Sequence, residues 1–337
     1  MDYSALLTRP EWTFDEIAID KHLYGKRVLI TGAGGSIGSA VARRVSYANV
    51  ESISLVDHSE IALFNLLGEQ SITAPHRAWI VDIASRQMFG LIETVCPDII
   101  IHAAAHKHVG LMEACPESAY QNNTIGTIKL ARCAKEKGVG QFLFVSTDKA
   151  VNPSNYMGAS KRLAEAWLFT QAREFAKVCR FGNVLGSSGS LVEIVTKKLF
   201  SGQPVQITDF DMQRYFITPN EAVGLLLSSL TLDGCGPFTI DMGLPIKVVD
   251  LVKRLAAKLD KFLEIESSQT GAGEKINEEL VNPKEEVTVT KYPGICSLNS
   301  PGFRNATNLI NSVGTRHIDM IDATRKLDIG AEDMFAI

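Results

Sequence analysis

Arg27-Val28-Leu29-Ile30-Thr31-Gly32-Ala33-Gly34-Gly35-Ser36-Ile37-Gly38 is the stretch on which the fold turns. Arg27 to Ile30 reads as a short apolar strand. It runs into a turn in which Gly32, Gly35 and Gly38 have the spacing Gly-x-x-Gly-x-x-Gly. From Ser36 to Val45 the pattern becomes helical, with Ile37, Ala40, Val41 and Val45 recurring at a 3.6-residue period. Glycines between a strand and a helix allow a tight turn and bring a pyrophosphate close to the N–H groups of the helix N-terminus. A glycine run alone decides little. Its place here, with Asp57 ending the next strand about 20 residues further on, predicts a dinucleotide site.

Working outward, the same texture repeats. Ser52 to Val56 ends at Asp57, and Ala78-Trp79-Ile80-Val81 ends at Asp82. Asp98 to Ile101 runs into His102-Ala103-Ala104-Ala105, Gln141 to Val145 is a fifth such segment and Lys177 to Phe181 a sixth. Strands covered on both faces are continuous apolar runs, and helical patterns separate these. The expected fold is α/β: a Rossmann doubly wound parallel sheet with a smaller C-terminal substrate-binding lobe. After Asn183 the pattern changes. Gly186 to Ser190 reads as a loop, Leu191 to Phe200 as a helix, Thr239 to Met242 as a late strand and Val248 to Leu259 as a helix. Residues 1–24 are expected to form an arm and residues 25–185 the dinucleotide-binding domain, with segments such as 208–245 returning to it. Residues 186–207 and 246–337 are assigned to the smaller lobe.

The bulk properties exclude several classes. At 337 residues the chain can bury a large core, and a net charge of −4 without a basic run gives no reason to expect nucleic acid. No apolar run approaches the ~20 residues that span a bilayer, and Met1-Asp2-Tyr3-Ser4 does not resemble a signal segment, so a cytoplasmic protein without membrane insertion is expected. The six cysteines lie far apart and read as reduced thiols. His102, His106 and His108 cluster at a strand end, but no metal is expected there.

Within the dinucleotide site, Gly32, Gly35, Ser36, Ile37 and Gly38 would face the pyrophosphate. Asp57 would accept hydrogen bonds from the adenosine ribose and repel a 2′-phosphate. The following His58-Ser59-Glu60 has no arginine to receive such a phosphate, so NAD is the expected cofactor. Asp82 and Ile83 flank the adenine or, alternatively, cap the third strand. Ala103 and Ala104 are counted with the same site.

A second dense segment follows the fifth strand: Ser146-Thr147-Asp148-Lys149-Ala150-Val151-Asn152-Pro153, then Met157-Gly158-Ala159-Ser160-Lys161-Arg162-Leu163-Ala164-Glu165. With Arg180-Phe181-Gly182-Asn183-Val184-Leu185-Gly186-Ser187-Ser188-Gly189-Ser190 and Asp211-Met212-Gln213-Arg214-Tyr215-Phe216, it resembles the extended short-chain dehydrogenase/reductases. More narrowly, it resembles the polysaccharide-biosynthesis family of UDP-N-acetylglucosamine 4,6-dehydratases, over about residues 25–300. The arm Leu6-Leu7-Thr8-Arg9-Pro10 is similar to the junction that follows the membrane region in long members, and the chain reads as the catalytic part without membrane helices.

The resemblance implies oxidation at carbon 4 of the hexose, loss of water across carbons 5 and 6, and return of hydride to carbon 6. It implies Asp148 as acid for the departing hydroxyl, Lys149 as base at carbon 5, Thr147 against the carbon 4 oxygen and Lys161 on the nicotinamide ribose. To act as a base Lys149 must be neutral, which Lys161 and a cationic nicotinamide nearby would favour. Lys107 and His108 match the Lys-His-Val run beside the active site. Asn123 is counted with the substrate site as a residue that keeps a helix or strand in register. Asn183 and Arg214 are candidates for the diphosphate and Glu274 for the uridine ribose.

Two positions depart from the pattern. Met157 stands where most of the superfamily has a tyrosine base, as it does in a subgroup of these dehydratases. Thr147 relayed by Lys161 or water would then handle the first proton, with the neighbouring Tyr156 as an alternative. Gly271-Ala272-Gly273-Glu274-Lys275 stands where Arg-Pro-Gly-Glu-Lys is usual. The competing readings are a UDP-sugar epimerase on the same fold and a non-catalytic dinucleotide-binding protein. UDP-N-acetylglucosamine is the expected partner, and helices near residues 117–136 and 157–175 offer a surface for a homo-oligomer.

Overall fold

Apolar runs that cannot alternate polar with apolar residues must be covered on both faces, and here most are; the run at Ala78–Val81 lies at the sheet edge and leaves Ile80 exposed. The computed structural model describes residues 2–268, 271, 273–299, 303, 306–314 and 319–327. Met1, Ala272 and the expected end of the smaller lobe from residue 328 onward lie outside them. Nine strands form one sheet: β1 (Arg27–Thr31), β2 (Ser52–Asp57), β3 (His76–Ile80), β4 (Ile99–His102), β5 (Gln141–Val145), β6 (Ala176–Cys179), β7 (Phe238–Ile240), β8 (Glu286–Val289) and β9 (Ile295–Asn299). Their order is β8-β9-β7-β6-β5-β4-β1-β2-β3. Strands β1 to β7 run parallel, whereas β9 lies antiparallel to β7 and β8 antiparallel to β9. The order reverses between β1 and β4, which opens a crevice at the carboxyl ends of those strands. The third strand starts at His76, two residues before the expected run, because His76 pairs with Ile53.

One face of the sheet packs on α1 (Ser36–Val45) and on the helix Pro219–Ser229, through Val41, Val45, Leu225 and Leu226. The other face packs on the helices Arg86–Val95, Thr127–Glu136 and α2 (Tyr156–Gln171). A third apolar cluster joins Val192, Val195 and Leu199 to Val205, Ile207, Leu251 and Leu255. Around it lie three short pairings, Asn183–Val184 with Phe216–Ile217, Val205–Ile207 with Ile265–Ser267, and Gln213–Arg214 with Ile246–Lys247.

Two expectations change. The arm is built into the structure: Leu6 and Leu7 belong to the third cluster, and the buried Glu221 accepts hydrogen bonds from the Arg9 guanidinium and the Trp12 N–H. The stretch 246–337 is not all in the smaller lobe. Its β8 and β9 extend the large sheet, and its helices Ala306–Gly314 and Met320–Leu327 cover α2 through Ile310, Ala323 and Leu327. Consequently α2 is buried from Met157 to Leu168 within its own chain. No helix among the described residues is long and apolar enough to cross a membrane.

Candidate active site

The glycine turn is shaped by what it touches. Gly32 has φ +66°, and a Cβ there would stand 2.6 Å from the Ala104 nitrogen. A Cβ on Gly38 would meet the Gly32 carbonyl oxygen at 2.1 Å. Side chains there would collide with the loop after β4 and with the turn itself, forcing α1 away from the glycines. Asp57, at the end of β2, accepts hydrogen bonds from Gly34 N and Ser59 N, both at 3.0 Å, so it fixes the turn. Asp82 is exposed and accepts from Ala84 N at 2.7 Å; this is the strand-end cap, the alternative to an adenine contact. Ile83 is buried against Gly126.

From this turn a cleft of about 520 Å³ extends over the ends of β4 and β5. Gly32, Gly35, Ser36, Ile37, Gly38 and Ala103 line one end, and Thr147, Lys149, Met157, Lys161 and Asn183 line the other, with Lys107 and His108 on the rim. Asp57, Asp82, Ile83, Ala104, Asn123, Asp148, Arg214 and Glu274 do not line it.

The 3₁₀ turn Asp148–Ala150 carries the charged centre. The Thr147 hydroxyl caps it, accepting from Lys149 N at 3.3 Å and donating to Asp148 Oδ1 at 2.9 Å. Asp148 is fully buried. Its Oδ1 lies 3.0 Å from Lys149 Nζ, and its Oδ2 has no hydrogen-bond partner among the described residues. Lys149 Nζ also donates to Asn183 Oδ1 at 3.1 Å. Helix α2 approaches this turn closely because residue 158 is glycine: a Cβ there would sit 2.1 Å from the Lys149 carbonyl oxygen. Asn155 begins the helix by accepting from Gly158 N at 2.7 Å.

Lys161, one turn into α2, is buried, donates to the Val145 carbonyl at 2.8 Å and lies 4.3 Å from the Phe144 ring centre. Burial of its ammonium brings its pKa down to about 7, against the opposing pull of Glu165. Met157 packs with Met112 and Ala119 and presents only a thioether to the cleft. Tyr156 points elsewhere. Its hydroxyl donates to Asp319 at 2.9 Å, and that bond, with burial, raises its pKa, so it is not the substitute base.

Other expected site residues have structural duties. Asn123 is fully buried, accepts from His106 N and donates to the His106 carbonyl at 2.9 Å and to Ser160 Oγ at 3.0 Å. It ties the loop after β4 to α2, with both ends of its amide engaged. His102 has its ring nitrogens 2.7 Å from the Thr31 hydroxyl and 2.9 Å from that of Thr127. Burial and the nearby Lys161 charge hold it well below the usual histidine range. Among the described residues, no three His, Cys, Asp or Glu side chains are grouped to hold a metal ion. The loop 186–190 bridges the cleft: Ser188 N donates to Ser36 Oγ at 2.8 Å, Lys107 Nζ donates to the Ser188 carbonyl at 2.6 Å, and His108 lies over Gly189.

Arg214 is buried below the cleft, donating to the carbonyls of Gln213 and Ile276 at 2.7 and 3.0 Å. Glu274 is exposed and folds back on Gly271 N at 3.3 Å. Sequence reading missed Glu278. Its carboxylate is buried 3.8 Å from Lys149 Nζ and 4.0 Å from Arg214 Nε. The only sequence signal was its place shortly after Gly273-Glu274-Lys275, among other glutamates.

The family model described as polysaccharide biosynthesis protein matches residues 28–300. The chain is similar to the capsular polysaccharide biosynthesis protein CapD of Staphylococcus aureus, 41% identical over 293 residues, which cover 83% of this chain and 49% of CapD. It therefore spans about half the length of that relative. It is also similar to the UDP-N-acetylglucosamine 4,6-dehydratase (inverting) of Campylobacter jejuni, 32% identical over 267 residues, 76% of this chain and 78% of that protein. Among solved structures, Pen from Bacillus thuringiensis superposes with a TM-score of 0.75 at 24% identity, covering 88% of this chain and 99% of Pen, a likeness of fold. The glycine turn, the Asp148–Lys149 turn and Lys161 all fall inside the matched residues, and the chain belongs to the polysaccharide biosynthesis protein family.

Proposed function

We propose that the chain is an NAD-dependent nucleotide-sugar 4,6-dehydratase acting on UDP-N-acetylglucosamine. The observation that carries this reading is the acid and base side by side: Asp148 and Lys149, 3.0 Å apart, with Lys149 lining the same cleft as the glycine turn and Asp148 buried behind it. The tight glycine turn at the start of α1, which lines the cleft through Gly32, Gly35 and Gly38, suits a dinucleotide, and Asp57 at the end of β2 suits NAD over its 2′-phosphorylated form. Bound there, NAD would supply the acceptor and donor of the hydride.

In this reading Lys161 holds the nicotinamide ribose and, being near neutrality, passes on the proton that Thr147 takes from the carbon 4 hydroxyl. Once carbon 4 is a ketone, the proton on carbon 5 becomes acidic. Lys149 removes it while Asp148 protonates the carbon 6 hydroxyl, which leaves as water. Lys149 then returns its proton to carbon 5. Asn183 orients Lys149, and the lobe built around the third apolar cluster receives the nucleotide.

An epimerase would need the cofactor turn and Lys161 but not the Asp148–Lys149 pair. Mass spectrometry of UDP-N-acetylglucosamine after incubation separates the readings. The dehydratase product lacks the mass of one water, an epimerase gives an isomer of unchanged mass, and a non-catalytic protein leaves the substrate as it was. Substrate deuterated at carbon 4, mixed with unlabelled substrate, should yield product without crossover of the label. Stoichiometric release of reduced cofactor would refute the proposal.

A further inference from the structure

The Lys149 ammonium is surrounded by three oxygens. Asp148 Oδ1 and Asn183 Oδ1 lie at 3.0 and 3.1 Å, and Glu278 Oε1 completes the set at 3.8 Å. Glu278 reaches this place from late in the chain because Ile276–Glu278 runs beside Gln213–Arg214, with Gln213 N donating to the Ile276 carbonyl and Gln213 paired with Asn277. Arg214 holds the same segment through the Ile276 carbonyl and stands 4.0 Å from the Glu278 carboxylate. The Glu278 side chain is 3% exposed. Charges so buried need partners, and Lys149 and Arg214 are the cations in reach. Burial, with Asp148 adding to it, raises the Glu278 pKa, while Lys149, Arg214 and Lys275 pull it down.

We propose that Glu278 is a positioning residue of the Asp148–Lys149 pair, holding the lysine amine against the aspartate. The inference rests on the dehydratase reading for its purpose, though not for its geometry. Glu278 Oε1, Asp148 Oδ1 and Asn183 Oδ1 together fix where the Lys149 amine stands. Asp148 Oδ2, buried without a partner among the described residues, is the carboxyl oxygen that neither Lys149 nor Thr147 engages.

The test titrates Lys149 directly. Purified chain without substrate is treated with a small amine-acylating reagent across pH, and labelling of the Lys149 peptide is read by mass spectrometry. Glu278→Gln removes one negative charge from beside Lys149, so the labelling midpoint should fall by about one pH unit or more. Glu278→Asp should fall in between. Glu279→Gln, altering a neighbour that contacts Asn152 and Lys275 instead, should leave the midpoint in place. In turnover, both limbs of the kcat–pH profile should move to lower pH in Glu278→Gln, whereas a merely structural role would lower the profile without moving it. An unmoved Lys149 midpoint in folded Glu278→Gln overturns the proposal. Because labelling needs no turnover, a wild-type chain that removes no water would count against the dehydratase reading alone.

Discussion

Replacing Lys161 by methionine should change how stability depends on pH, by an amount the structure lets one work out. The Lys161 pKa falls from 10.5 to about 7 on burial, a differential of roughly 5 kcal/mol at 1.36 kcal/mol per unit. The folded protein loses this proton near pH 7 and the unfolded chain near pH 10.5. Below about pH 7 the penalty for burying the charge is present in full. Between the two values the unfolded state binds one more proton, so folding stability rises with pH by up to about 1.4 kcal/mol per unit. Lys161→Met keeps an unbranched stem but removes the titrating group, and with it the bond to the Val145 carbonyl and the contact with Phe144. Those losses shift the variant's stability by a constant and leave the slope untouched. Urea unfolding of ligand-free protein at a series of pH values gives the free energies. The difference, variant minus wild type, should fall by about 2–3 kcal/mol between roughly pH 7.5 and pH 9.5. Parallel curves would show that Lys161 is protonated in both states and would refute the reasoning.

Further expectations concern the neighbouring residues. Asp148→Asn and Lys149→Met should each retain the fold and cofactor binding while lowering turnover by at least ~100-fold, measured by product mass. Asp57→Ala should weaken NAD and narrow its preference over NADP in direct titration, because the 2′-phosphate is no longer repelled and Gly34 N loses its acceptor. Asn123→Ala should destabilise by about 1–3 kcal/mol and leave His106 N without its acceptor, seen as faster amide exchange after β4. Met157→Tyr should not be needed for activity, while Thr147→Val should be the more damaging change in the same turnover assay.

Much of the fold was legible because its signals are local. The apolar runs of β1, β2, β4, β5 and β6 and the glycine turn each announce themselves within a few residues, and the parallel order follows from the helices between them. The contents of the cleft were legible for the same reason, since Thr147, Lys149 and Lys161 follow β5 directly. Side-chain partners were not, because hydrogen bonds across the chain leave no periodic trace. Asp82 and Asn123 have residue types that suit ligand contact, yet nearby backbone groups engage them first. Arg214, expected at the diphosphate, also holds its own surroundings, its Nη1 donating to the Gln213 and Ile276 carbonyls, which its residue type does not announce. Glu278 was invisible because it meets Lys149 only through the pairing of two short segments. The third strand shifted and β8 and β9 joined the sheet because cross-strand pairing, rather than composition, sets those limits.

Behind the active turn, Arg180 on the end of β6 lies between the Glu165 carboxylate of α2 and Glu285 just before β8, all fully buried, with Arg162 beside both carboxylates and Ser146 Oγ donating to Glu165 at 2.6 Å. Burying a cation without its counter-charge is strongly unfavourable. Glu285 is made long after the rest of this cluster. At the usual ~5–20 residues per second of synthesis, roughly 5–20 s separate Arg180 from Glu285 on the ribosome. Until Glu285 is made, the Arg180 guanidinium has Glu165 as a counter-charge but lacks the Glu285 carboxylate, so this ion pair behind the active turn closes only once the segment before β8 has been added.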